Sequence, residues 1–322
     1  MNPLIQLNRR LHYLFIAFLL ACFAIAQSAQ SVTPGRDGAN EANHLPAVEP
    51  RLEAFVLDGT SPVATPTPRP PVTPTPIPYD FNKDGHPDYV LATTFGETAI
   101  WYLNNNVLLS GAPAPTLPVD WELKGAADFD GDGYPDYVLF NSRTRETVIW
   151  YLNGNRLVSS RSGPTLPADW DLVAVGDFSG DGKPDYVLYN VRTYQTQIWY
   201  MNNNIVRDRG AGPTLPFQWH IAGAADFDRD GHVDYLLVNS GTRQTAIWYM
   251  SGRTRLNAAY GPTIDSGYKL IGTADYNGDG YPDYVLYNRS THQTAIWYLN
   301  NNVRVSTANG PPIQIGWRLT LP

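Results

Sequence analysis

From Asp80 to its last residues the chain repeats one pattern of hydrophobic and polar positions five times. Each copy opens with a polar loop rich in aspartate and glycine, then enters a short apolar run that reads Tyr-Val-Leu in most copies. A polar turn leads to a second apolar run built on Ile-Trp-Tyr, as at Ile149-Trp150-Tyr151. The next turn, Asn153-Gly154-Asn155 in that copy, has the residues of a tight hairpin that needs positive φ. A shorter third strand follows, then a Gly-Pro-Thr-Leu-Pro loop, and finally a strand that begins with tryptophan, as in Trp170-Asp171-Leu172. Strand side chains alternate, so Trp150 and Leu152 face one side while Ile149 and Tyr151 face the other. Apolar residues on both sides are what a sheet packed on both faces requires. All nine tryptophans occupy two repeat positions: five lie in Ile-Trp-Tyr and four open the last strand, where Tyr268 substitutes once.

The first aspartates of the loops are Asp80, Asp128, Asp177, Asp226 and Asp275, a period of 48 residues once and 49 three times. Four short strands per period of this length predict an all-β chain in which each repeat is one blade of a β-propeller, here with five blades. The pattern begins at the Asp80 loop without the tryptophan strand that precedes every other loop. It ends on Trp317-Arg318-Leu319-Thr320-Leu321 with no loop after it. The C-terminal strand is therefore expected to complete the first blade, which closes the ring and removes two open ends.

Upstream, the pattern changes. Arg9 and Arg10 precede an apolar run from Leu11 to Ala26, and Ala24-Ile25-Ala26 has the small-x-small form of a cleavage site. Residues 1–26 are read as a signal peptide, because the run is short for a membrane span and no second one follows. An uncleaved anchor is one alternative. Another is a lipoprotein, since Leu19-Leu20-Ala21-Cys22 resembles a lipobox that would lipidate Cys22 and hold the chain at the cell surface. Residues 27–78 read as a disordered linker that ends in Pro/Thr alternation from Ser61 to Pro78, an extended stalk. The propeller is assigned to 79–322.

Composition sharpens this picture in three ways. With 43% hydrophobic, 12% aromatic and only 16% charged residues, and with 27 glycines, the chain suits many short strands joined by turns. A net charge of −7 speaks against a nucleic-acid partner. A single cysteine excludes a disulfide scaffold and a cysteine-based zinc site.

The aspartate loop carries the chemistry. Counting its first aspartate as position 1, side-chain oxygens recur at positions 1, 3, 5 and 9. These are Asp80, Asn82, Asp84 and Asp88, then Asp128, Asp130, Asp132 and Asp136, then Asp177, Ser179, Asp181 and Asp185. The fourth loop has Asp226, Asp228, Asp230 and Asp234, and the fifth Asp275, Asn277, Asp279 and Asp283. Position 7 (His86, Tyr134, Lys183, His232, Tyr281) is read as a main-chain carbonyl donor, and position 6 is always glycine, where a sharp turn needs positive φ. Alternate spacing turns the oxygens into one small volume suited to a hard cation. Ca²⁺, up to five structural ions, fits better than Mg²⁺, which demands a stricter octahedron. The loop is not an EF-hand, because position 12 is a strand residue such as Leu139 and no helices flank it. From Tyr79 onward there are 25 acidic and 18 basic residues, and 17 of the acids sit in the five loops. Such crowding is repulsive unless a cation neutralises it; metal-free turns are the alternative. Because Asn82, Ser179 and Asn277 replace the position-3 aspartate, the Asp128 and Asp226 loops are expected to bind tightest.

These repeats resemble the FG-GAP/VCBS calcium-binding blades of integrin α-subunit propellers and of some fungal propeller lectins, over roughly residues 79–322. The resemblance implies that the aspartate loop joins the first two strands of a blade on one face and that its metal is structural. It also implies that the tryptophan strand is innermost and the strand near Val303-Arg304-Val305 outermost. The family is more often seven-bladed.

The functional expectation is a secreted, calcium-stabilised, non-enzymatic binding or adhesion module, monomeric, with an extracellular protein or glycan as partner. A multivalent lectin and an accessory domain for a separate secreted enzyme are the alternatives. Repeated polar turns such as Asn141–Thr147, on the face opposite the metals, are a candidate multivalent surface. Arg207, Arg209, Arg253, Arg255 and Arg304 near the outermost strand are read as guards against edge-to-edge pairing rather than as an acidic-polysaccharide site. Catalysis is not expected: nearly every polar residue recurs about five times, His220 and His292 stand alone, and no Gly-x-Ser-x-Gly or His-Glu-x-x-His occurs.

Overall fold

A computed structural model describes residues 77–321. The signal-peptide and lipobox readings, and all but the last two residues of the linker, lie outside the described residues. The first three strands are β1 (Tyr89–Thr93), β2 (Thr98–Asn104) and β3 (Val107–Ala114). Next come β4 (Trp121–Ala127), β5 (Asp136–Asn141), β6 (Thr147–Asn153) and β7 (Arg156–Ser162). The third repeat has β8 (Trp170–Gly176), β9 (Asp185–Asn190), β10 (Thr196–Asn202) and β11 (Ile205–Ala211). The fourth has β12 (Trp219–Ala225), β13 (Asp234–Asn239), β14 (Gln244–Ser251) and β15 (Thr254–Thr263). The last strands are β16 (Tyr268–Ala274), β17 (Asp283–Asn288), β18 (Gln293–Asn300), β19 (Val303–Asn309) and β20 (Trp317–Leu321).

They form five antiparallel four-stranded sheets, ordered β4-β5-β6-β7 and so on around the ring. The first blade is β20-β1-β2-β3, with Leu319 opposite Leu91 and Trp317 opposite Thr93. The five-bladed propeller and its closure by the C-terminal strand are thus borne out. The tryptophan strands β4, β8, β12, β16 and β20 touch one another in cyclic order, so they line the axis. They converge closely there: a Cβ on Gly125 would lie 2.7 Å from Cγ2 of Val175 on the next inner strand.

The outermost strand departs from expectation. It is not the short one; β15 runs for 10 residues and β3 for 8. Its length was hidden because β7 and most of its counterparts lie in solvent and carry no alternation of apolar positions. The hairpins before these strands also differ in detail, since only the first of the two loop residues takes positive φ: Asn105, Gly154, Asn203, Gly252 and Asn301.

The core is five separate clusters, each between two blades. Ile149 and Tyr151 pack forward against Tyr186, Leu188 and Trp199, while Leu152 and Trp150 pack backward against Phe81, Val90 and Ile100. A repeated contact fastens neighbours together. The aromatic at loop position 2 meets the tyrosine that opens the next blade edge-on. Phe81 and Tyr137, Phe129 and Tyr186, Phe178 and Tyr235, and Phe227 and Tyr284 make four such pairs; Tyr276 and Tyr89 close the circle at 5.9 Å. Pairs of this geometry add about 0.5–1.5 kcal/mol beyond burial. In addition Thr98, Thr147, Thr196, Thr245 and Thr294 each donate a 2.7 Å hydrogen bond to a proline carbonyl at or just past the end of the outermost strand of their blade.

If closure holds the ring, a chain ending before Trp317 exposes the inner edge of β1 and strands Leu91 without its partner. We expect its thermal midpoint to fall by at least ~10 °C, with concentration-dependent association in size-exclusion chromatography. Calorimetry on the truncated and intact chains checks this, and equal midpoints would refute it.

Candidate metal centres

Four aspartate loops connect an inner strand to the second strand of its blade; the Asp80 loop leads into β1, whose inner partner β20 comes from the end of the chain. Their backbone is bent as the glycines demanded: Gly85, Gly133, Gly182, Gly231 and Gly280 have φ between 81° and 91°. A second left-handed residue at position 4 was not anticipated. It is glycine in three loops but Lys83 and Arg229 in the other two, at φ 60° and 64°. A basic side chain there conceals the turn in the sequence, where a glycine would have signalled it.

Within each loop the carboxylates are held by main-chain amides. Asp128 accepts from the N–H of Gly131 at 2.7 Å and of Gly133 at 2.8 Å, Asp130 from Asp132 at 3.2 Å, and Asp132 from Tyr134 at 2.8 Å. In the fourth loop Asp226 accepts from Asp230 and Gly231, Asp228 from Asp230, and Asp230 from His232. This odd-numbered ladder brings carboxylate oxygens of Asp128, Asp130 and Asp136 within 4.8 Å of one another, and does the same for Asp226, Asp228 and Asp230. Those are the two loops with aspartate at position 3. Where asparagine stands instead, its amide donates to the position-5 carboxylate: Asn82 to Asp84 at 2.8 Å and Asn277 to Asp279 at 2.9 Å. In the third loop the Ser179 hydroxyl is 3.3 Å from Asp177, whose carboxylate also takes the N–H of Asp181, and Asp181 accepts from Lys183. In the first and fifth loops Asp80 and Asp275 accept from Gly85 and Gly280, Asp84 from His86, and Asp279 from Tyr281. The position-7 residues thus enter these ladders through their backbone N–H.

Position 9 does more than was read into it. Asp88, Asp136, Asp185, Asp234 and Asp283 are fully buried. One oxygen of Asp136 accepts the N–H of Phe129 and the other that of Leu152 on β6, both at 2.9 Å. Asp88, Asp234 and Asp283 repeat this between the loop and the third strand of their blade, and Asp185 does so through Ser179 and Met201. Burial pushes these carboxyls up, to about 8 for Asp88, about 7 for Asp136, Asp234 and Asp283, and about 6 for Asp185. The amide bonds pull the other way, and neighbouring loop carboxylates add to the rise. Partial burial and adjacent carboxylates likewise raise Asp130 and Asp226. An oxygen-only donor set held open by backbone amides, with its charges crowded, fits a hard divalent cation.

Some loops also meet a basic neighbour. Lys83 Nζ donates to the carbonyl of Asp132 in the next blade at 2.7 Å and sits 3.6 Å above the Tyr134 ring. Arg229 lies over Tyr281 in the same way at 4.9 Å. On the rim, Arg209, Arg255 and Arg304 cover Trp199, Trp248 and Trp297 at 4.0, 4.3 and 4.1 Å, and Arg253 pairs with Asp208 at 2.7 Å. Three of the edge arginines thus shield the flat indole faces.

The fold and the loops define a propeller built on metal-type aspartate turns. The FG-GAP-like repeat family matches residues 128–188 and 226–286, starting at the two loops with clustered carboxylates, and these repeats together with the five blades support an FG-GAP-type propeller protein. Propellers with FG-GAP repeats are generally non-catalytic binding or adhesion modules, typical of extracellular proteins, and these repeats often bind Ca²⁺. No curated protein matches the chain. Solved structures with similarity include a protein of unknown function from Bacteroides caccae, at 14% identity and TM-score 0.40, covering 69% of this chain and 73% of that one. A luciferin-regenerating enzyme has 12% identity, TM-score 0.43 and coverages of 68% and 71%. The Tc holotoxin pore of Photorhabdus luminescens has 15% identity and TM-score 0.39, and the match spans 78% of this chain but 13% of that one. Among the described residues no helix is long and apolar enough to cross a membrane.

Two outcomes follow for the metal-free protein. A raised carboxyl pKa means that the folded state keeps a proton the unfolded state has lost, so stability is greatest in acid and declines as pH rises from about 4 to 8. Melting in chelator is therefore expected at a lower temperature at pH 8 than at pH 5. Separately, Asp136→Ala strands two buried N–H groups and should cost about 2–5 kcal/mol with or without metal, whereas Asp130→Asn should leave the metal-free midpoint nearly unchanged. Paired denaturant titrations of both variants distinguish the two roles.

Proposed function

We propose that the chain is a secreted, calcium-stabilised propeller carried on the Pro/Thr-rich stalk of residues 27–78. It acts as a binding or adhesion module for an extracellular protein or glycan and has no catalytic activity of its own. The observation that carries the metal assignment is the convergence of three carboxylates in the Asp128 loop and three in the Asp226 loop. In the Asp128 loop the ion is held by Asp128, Asp130, Asp132 and Asp136 with the carbonyl of Tyr134, and in the Asp226 loop by Asp226, Asp228, Asp230 and Asp234 with that of His232. The Asp80, Asp177 and Asp275 loops offer weaker versions of the same set, with Asn82, Ser179 and Asn277 at position 3. The ion's work is to neutralise the crowded carboxylates and fix the loop that joins the axis to the blade. Export is supported by residues 1–26 and by the extracellular habit of FG-GAP repeats.

Calcium at tenfold its Kd adds about 1.4 kcal/mol per site, and extracellular modules often bind only at about 10⁻⁴–10⁻³ M. Two occupied sites are thus expected to raise the midpoint by roughly 5–12 °C. Calorimetry in millimolar calcium and in EDTA tests this. The gain should shrink by about half in Asp130→Asn or Asp228→Asn and vanish in the double variant. An unchanged midpoint on chelation would overturn the metal assignment.

A further inference from the structure

The five blades are near copies, so a place where two copies break the pattern together stands out. Opposite the aspartate loops, at the mouth of the central channel, a cavity of about 630 Å³ opens between the first, second and fifth blades. Gly96 is part of its lining. The Gly96 carbonyl accepts the N–H of Leu117, as those of Arg145, Tyr194, Arg243 and His292 accept from the corresponding loop residues in the other four blades. All five take positive φ. Four blades carry a long or aromatic side chain here; the first carries none, and a Cβ on Gly96 would lie 2.6 Å from the Leu117 carbonyl oxygen, so the loop itself passes close at this point.

The walls are equally particular. The second residue of the inner strand is Glu122, Asp171, His220, Lys269 and Arg318 around the ring. Lys269 and Arg318 fall on adjacent inner strands and both line the cavity. Arg289 joins them from a turn whose counterparts are threonine, serine, valine and serine. Partial burial, and after it the neighbouring guanidinium groups of Arg289 and Arg318, draw the Lys269 ammonium below its ordinary value. The two acids of the lining are already engaged: Asp120 with Arg143 at 3.0 Å and Glu122 with Lys124 at 3.1 Å. None of the three cations makes an ion pair among the described residues. Beside them, Phe95 is 86% exposed and the half-buried Trp121 lies next to it in the lining, forming an aromatic wall.

We propose that this cavity is a single binding site for a sugar acid, its carboxylates met by Lys269, Arg289 and Arg318 and its ring faces by the aromatic wall. The volume suits a ligand of disaccharide size. Charge-assisted hydrogen bonds from a fork-shaped guanidinium match a carboxylate, and flat apolar rings beside them match a pyranose. This rests on the binding-module reading and gives that module a ligand class and one site, where repeat symmetry alone would supply five.

The test is calorimetric titration of the calcium-loaded full chain with digalacturonate, lactose and the Glu-Glu dipeptide. Digalacturonate is expected to bind once per chain, at least tenfold more tightly than the other two, and to weaken as salt rises. Lys269→Gln and Arg318→Gln should each weaken it tenfold or more, and Phe95→Ala several-fold. Each variant should keep the native calcium-dependent rise in midpoint, which shows that it is folded. No binding of digalacturonate, equal binding of lactose or of the dipeptide, a stoichiometry near five, or full affinity in the variants would overturn the proposal. Loss of the calcium effect in the native chain would overturn the metal assignment alone.

Discussion

A carboxylate at zero exposure is among the most costly groups a small domain can bury, and there are five among the described residues. Each survives because both of its oxygens accept main-chain N–H groups, one from the aspartate loop and one from the third strand of the same blade. The bond pattern ties three segments, so loop, second strand and third strand become one body. Charge is then the residual difficulty. Amide dipoles compensate only part of the desolvation, which is why the five carboxyls remain well above the ordinary range. The same residue thus creates the need for a cation and positions the loop that would supply the rest of its ligands.

Beyond that clamp, order passes from blade to blade through contacts of equal kind. The edge-on aromatic pairs occur at all five interfaces, including the seam where the last blade meets the first, and the threonine-to-proline bonds in all five blades. No interface is privileged in its core packing. What singles out the seam is the side away from the loops, where Gly96 stands against four larger residues and two adjacent inner strands both carry a basic side chain.

Much of this was legible because repetition multiplies weak signals. One Asp-x-Asp-x-Asp-Gly stretch is ambiguous, but five at constant spacing, each followed by Tyr-Val-Leu and Ile-Trp-Tyr, specify blade, number and direction. The tryptophan strand missing before Asp80 and the surplus one at Trp317 even disclosed the closure. What escaped notice had physical reasons. The outermost strand carries no hydrophobic period because solvent covers it. The left-handed position 4 is masked by Lys83 and Arg229, whose long side chains serve the neighbouring loop. The second role of position 9 depends on the N–H of Leu152, sixteen residues downstream, a partner that only the folded sheet brings near. The channel mouth was invisible since its residues are distant in the chain and are notable only for being unlike their counterparts.

The way the ring is closed also sets the order in which it can be made. Synthesis runs from the amino end, so the first sheet must wait with three strands, its axial edge open, until Trp317–Leu321 has been polymerised. For a chain that crosses a membrane as it is made, the final circle can form only after its last five strand residues arrive on the far side. Premature assembly on the near side would be limited by the same delay.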